Sequence, residues 1–166
     1  MERTTFDGVA YFKNIASLNK KMKKDGYHIG ECTTPLGIQG VMEDFRKVSR
    51  FCLVDNAVPG VVTMNRAGGF FNRRSYSMHL IIRRDARRGL DDYDALMSEL
   101  RLLYLQILSR ILQDREKLEM RNCYLSLDTL RYTEPGPYGY GGSAGLYFVL
   151  SIDEPANLMY DGNEWE

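Results

Sequence analysis

The clearest polar–apolar pattern runs through residues 70–84. Tyr76, Met78, Leu80 and Ile82 alternate with Arg73, Ser75, Ser77, His79 and Arg83, with Ile81 as the one apolar interruption. A period of two puts successive side chains on opposite faces, so the stretch predicts a long half-buried strand with one polar, basic face. Shorter apolar runs, Phe51–Val54 and Val61–Met64, predict two strands before it. Asp55-Asn56 and Pro59-Gly60 mark a turn between them, and Arg66–Gly69 a flexible turn after them. Two further strands are expected near 123–132, with Cys123, Leu125 and Leu127 on one face, and near 144–153, where Leu146, Phe148, Leu150 and Ile152 alternate with Tyr147, Val149 and Ser151.

Helical spacing appears in three places. Val9, Phe12, Ile15, Ala16 and Met22 predict a helix over 9–24, closed by a lysine-rich end and Asp25-Gly26. Val41, Phe45 and Val48 predict a short one, while the Gly-rich residues 26–40 read as a loop. The longest, about 91–118, opens on Asp91-Asp92 and carries a core stripe through Leu96, Met97, Leu100, Leu103, Tyr104, Ile107 and Ile111. Leu102, Leu105 and Leu112 widen that stripe past one face, so this helix needs cover on more than one side: from its own domain, or from a second subunit. The sheet on one side and the N-terminal helix on the other are the expected cover.

The expected architecture is a single α+β domain over 1–153: an antiparallel sheet of about four strands packed against one long helix, with an N-terminal helix nearby. Residues 154–166 form an extended acidic C-terminal arm.

Composition narrows the function classes. The chain has 166 residues, is 44% hydrophobic, and balances 22 Lys+Arg against 22 Asp+Glu. Disordered chains have few apolar residues and a large net charge, so disorder is excluded, as is a wholly basic nucleic-acid binder. No run is long enough for a membrane helix, and the N-terminus lacks a signal peptide's apolar core, so the expected location is the cytoplasm or a particle assembled there.

The chemistry-bearing residues are sparse. Cys32, Cys52 and Cys123 show no paired spacing and read as small buried hydrophobes. His28, Cys32 and His79 do not supply the four clustered ligands of a structural zinc site, so neither metal nor other cofactor is expected. The segment 136–142 is Gly-rich, but no Lys follows it and a strand succeeds it, unlike a phosphate loop. It reads as a surface loop, with Tyr138 and Tyr140 as partner-docking candidates; Tyr160 and Trp165 play that part in the arm.

Charge is distributed unevenly. Arg66, Arg73, Arg74, Arg83, Arg84, Arg87 and Arg88 face a single acid, Asp85, within residues 66–88. From residue 123 onward, Asp128, Glu134, Asp153, Glu154, Asp161, Glu164 and Glu166 face only Arg131. The arginines are candidates for a protein interface or for binding anions, DNA phosphates included. Basic and acidic parts on opposite sides of a subunit would attract head to tail and build rings or filaments; within one subunit they would simply pair.

The order of elements (N-terminal helix, strands with a long basic hairpin, long helix, two strands and an arm) resembles bacteriophage tail-completion and tail-terminator proteins over roughly residues 9–153. That resemblance implies a small α+β subunit forming a ring at the neck or tail of a virion, in contact with other neck and tail proteins. The expected function is therefore a non-enzymatic structural subunit of a phage or prophage. A nucleic-acid-binding module using the arginine strand is the alternative. An enzyme built on His28, His79 and scattered acids is the third reading.

Overall fold

A computed structural model describes residues 5–85, 90–137, 139–160 and 162–165. It is α+β with a mixed six-stranded sheet, larger than the four antiparallel strands expected. The helices are α1 (Gly8–Leu18), α2 (Lys20–Lys24), α3 (Thr34–Asp44), α4 (Tyr93–Gln113) and α5 (Arg115–Glu119). The strands are β1 (His28–Cys32), β2 (Arg50–Asp55), β3 (Gly60–Met64), β4 (Phe70–Ile82), β5 (Tyr124–Thr133) and β6 (Ala144–Pro155). The sheet order is β1-β2-β4-β6-β5, and β3 pairs with β4.

β4 organises the sheet. Its second half pairs with β2, from Val54↔Met78 to Arg50↔Ile82, and its first half with β3, from Met64↔Phe70 to Gly60↔Arg74. β2 and β3 therefore follow one another along the same side of β4, broken at Asn56–Pro59. Together they make one long hairpin closed by the turn at 65–69, where Asn65 accepts from the Ala67 and Gly69 amides. β6 covers the other side of β4 along its length, from Ile82↔Ala144 to Phe71↔Pro155.

The predicted alternation of β4 places its two faces as expected. Tyr76, Met78, Leu80 and Ile82 join Leu146, Phe148, Leu150 and Ile152 of β6 in the main core, against α1 and α4. On the opposite face, Cys32, Phe51, Leu53 and Ile81 form a second, smaller core under Ile38 of α3. The rest of that face stays polar.

Residues 26–40 correct the loop expectation. Apart from Gly26, which turns at φ +69 to end the helical start, and the single residues Tyr27 and Thr33, they form β1 and most of α3. β1 lies parallel to β2, and a parallel edge strand lacks the simple alternation that marks an exposed antiparallel one. Pro35 is no obstacle in the first turn of α3, where an amide has no intrahelical partner. The helix expected at 9–24 is divided at Asn19, whose extended backbone interrupts it and whose side chain accepts from the Met22 amide. The helix expected at 91–118 is likewise divided at Asp114.

β5 departs from simple alternation as well. Ser126 pairs with Ser151 but Arg131 with Val149, so residues 127–130 bulge out of register. Up to the bulge the strand keeps the faces read from sequence, with Leu125 toward the core opposite Ile152 and Ser126 opposite Ser151 on the polar face; the bulge leaves Leu127 half exposed on the α4 side. Glu154 and Pro155 belong to β6, so the arm starts at Ala156, whose amide donates to the Phe70 carbonyl.

Candidate functional site

The arginines of the β3–β4 hairpin are mostly spoken for within the chain. Arg73 and Asp153 stand opposite one another on β4 and β6, and two parallel bonds of 2.7 and 2.8 Å join them. Arg74 donates to the Phe6 carbonyl at 2.9 Å and lies 3.8 Å from Glu154. Sequence placed these partners 80 residues apart in two blocks of opposite charge; strand pairing brings them together in one subunit. This corrects half of the charge-division argument: Asp153 and Glu154 neutralise Arg73 and Arg74 in place.

The remaining arginines separate. Arg66 is exposed in the hairpin turn. Arg83 donates to the Met42 and Arg46 carbonyls and stacks over Phe51, tying α3 to the sheet. Arg84 donates to the Gly142 carbonyl at 3.2 Å and lies 3.8 Å from Asp92. Arg87, Arg88 and Tyr138 fall outside the described residues.

Between α3, the polar sheet face and the 139–142 turn lies a cleft of about 1150 Å³. Ile38 and Met42 of α3, with Pro135, Tyr140 and Tyr147, supply its apolar lining. Arg46, Arg83 and Arg84 bring positive charge, Glu43 and Asp55 negative charge, and Ser77, His79 and Ser143 neutral polar groups. His79 is its most enclosed titratable group at 9% exposure. Its Nδ1 lies 2.8 Å from the Tyr140 hydroxyl, and its ring stacks at a tilt on Tyr147, its partner across β6. Burial pushes the imidazole down to about 4, so it is neutral near pH 7, while the Tyr140 phenol is pushed up by the same cause.

Tyr140 is thus turned inward, not displayed for a partner. Its own φ of +50, with Gly141 at +65 and Gly142 at +89, directs the chain so that the ring comes close against Gly145. A Cβ at position 145 would stand 2.3 Å from Tyr140 Cδ2, so only glycine leaves this seat open. The turn at 139–142 is fastened, and Arg101 of α4 holds Glu134 nearby with two bonds of 2.7 Å.

The histidines and cysteines do not converge. His28 stacks on Phe45 at 3.8 Å, on a different strand from His79. Among the described residues, no three His, Cys, Asp or Glu side chains are grouped to hold a metal ion. All three thiols are buried and raised above their usual range, Cys32 and Cys52 to about 12.

Exposed apolar groups gather on α4 with the neighbouring strand β5, on the β3–β4 hairpin and on the arm. On α4, Leu102, Leu105 and Leu112 are 62%, 58% and 47% exposed. α1 and the sheet cover the core stripe of α4 but leave these three bare, so the expected intramolecular cover reaches only part of the helix. Leu127 and Tyr132 of the edge strand β5 adjoin this helix, because Tyr104 of α4 stacks on Tyr132 and Leu112 shares a small crevice with Leu127. The hairpin exposes Val61, Val62, Met64 and Phe70. The arm exposes Leu158 and Met159 as well as Tyr160, at 78%, and Trp165, at 67%. Sequence singled out the two arm aromatics but not the cleft, whose walls come from five separate segments.

The class defined by these features is an α+β domain with a fastened polar cleft and several bare apolar surfaces. No protein-family model matches the chain, and no curated protein is significantly similar to it. No helix among the described residues is long and apolar enough to cross a membrane.

Proposed function

We propose that this protein is a structural subunit of a phage or prophage neck or tail, forming a homo-oligomeric ring by head-to-tail contacts. The supporting observation is the bare row Leu102, Leu105 and Leu112 on α4, continued by Leu127 and Tyr132 at the edge of the sheet. Large apolar side chains scattered singly need no partner, but a contiguous exposed patch marks an interaction surface. An open sheet edge beside it invites a neighbouring subunit for the same reason. The apolar hairpin and arm supply further contacts on other sides of the subunit, as a heterologous ring contact requires.

The other two readings draw less support. DNA phosphates would have to displace Asp153 and Glu154 from Arg73 and Arg74. An enzyme would rely on His79, a neutral imidazole held by Tyr140, with no metal-holding cluster among the described residues.

Native mass spectrometry over a concentration series, followed by electron microscopy of the assembled species, tests the proposal. Closed rings of one stoichiometry are expected. A strict monomer at high concentration overturns it.

A further inference from the structure

We infer that the cleft between α3 and the polar sheet face receives the C-terminal arm of a second copy of this chain, with Trp165 as the anchor. This rests on the homo-oligomeric reading above and names one of its contacts.

The occupant is argued from three observations. First, the chemistry matches. The cleft offers an apolar lining of Ile38, Met42, Tyr140 and Tyr147, and its three arginines exceed the two acids there, Glu43 and Asp55. Arg46 is exposed at the rim, while Arg83 and Arg84 sit deeper and contribute positive potential from fixed positions. The arm is acidic and apolar together: its sequence holds Asp161, Glu164 and Glu166 beside Leu158, Met159, Tyr160 and Trp165, and no base. An aromatic anchor in an apolar pocket with complementary charge at its rim is the usual composition of a strong contact.

Second, the described apolar side chains of the arm are left largely uncovered by their own subunit. Leu158, Met159, Tyr160 and Trp165 are all more than half exposed, and among the described residues none that lines the cleft comes from the arm. Large apolar side chains on an extended segment are costly to leave in water.

Third, the placement suits a head-to-tail contact. The arm leaves β6 beside Phe70 and Phe71, while the cleft is lined by the other half of β4 and the residues just after it, from Ser77 to Arg84. An arm at one end of the strand and a cleft toward the other can join successive copies in one direction.

Trp165 is the chain's single tryptophan, so its fluorescence reports the contact directly. The experiment follows emission of the full chain across a dilution series, with native mass spectrometry on the same samples. The expected result is a blue shift that grows with concentration and tracks oligomer formation. The variant Arg46→Glu, changed at an exposed site, should need at least tenfold more protein for the same shift; Met42→Glu should abolish it, with circular dichroism confirming that both fold. Oligomers in which Trp165 keeps the emission of an exposed indole overturn the inference and leave the ring reading standing. A blue shift independent of concentration means that the arm folds onto its own subunit, and overturns it as well. A monomer with exposed emission throughout overturns both.

Discussion

Arg73 of β4 and Asp153 of β6 are register partners joined by two parallel hydrogen bonds, a fork-to-fork pair on the polar face of the sheet. Ser126 of β5 donates to the same carboxylate at 3.3 Å, so three neighbouring strands meet there. Their geometry is bidentate and both side chains are mostly enclosed, at 25% and 17% exposure. The pair should therefore be worth more than an ordinary surface bridge, about 1 kcal/mol of coupling after allowance for solvent screening. A double-mutant cycle with Arg73→Ala and Asp153→Ala in urea denaturation measures it. A coupling near zero would mean that the pair only decorates the sheet.

The buried His79 makes stability depend on pH. Its folded value of about 4 lies below the ordinary 6.5, so the unfolded chain binds the proton more readily. Stability is then full above about pH 6.5 and falls as the pH drops toward 4. The loss from this one group approaches about 3 kcal/mol at most. Comparing denaturation at pH 7 and pH 5 for the wild type and for His79→Asn isolates it: the variant should lose less stability over the same interval.

Gly145→Ala should expel the Tyr140 ring from its seat. The close approach of 2.3 Å leaves no room for a methyl group against an aromatic edge. Overpacking of this kind costs about 1–3 kcal/mol. With Tyr140 displaced, His79 gains water and its titration should rise toward the ordinary histidine value, which a proton NMR titration reads. An unchanged His79 titration would show that the ring stays in place.

Leucines one position apart on α4 should behave oppositely. Leu103 is fully buried, and Leu103→Ala should cost about 2–5 kcal/mol of stability. Leu102→Lys and Leu105→Lys sit in water and should change stability by no more than about 0.5 kcal/mol. On the proposed function they break the oligomer, so native mass spectrometry should show monomers of unaltered thermal stability. Retained rings would place the subunit contact elsewhere.

Cys32, Cys52 and Cys123 should resist a thiol reagent in the native protein and react on unfolding, because burial holds all three as neutral thiols. Rapid modification of any one without denaturant would show that its segment opens locally.

Elements whose periodicity is local were readable from the order of residues. The alternation of 70–82 fixed which face of β4 enters the core, and the 3.6-residue stripe of 93–113 fixed the buried side of α4, because burial selects one face of each. Even the excess leucines of α4 were legible as a surface in need of cover. Local pattern misled where long-range pairing overrode it: β1 joins the sheet through a parallel neighbour, and the β5 bulge takes Leu127 out of register and leaves it half exposed. The fate of the charges was decided only by tertiary structure. Neutral composition concealed a basic middle and an acidic end, but whether they meet within one subunit or between two depends on strand register. Register set Arg73 against Asp153 and put Arg74 beside Glu154, and the end of β6 left the arm's tryptophan facing water. A one-residue slip would have turned both rows of side chains to the other face, so no count of charges along the chain could have assigned those partners.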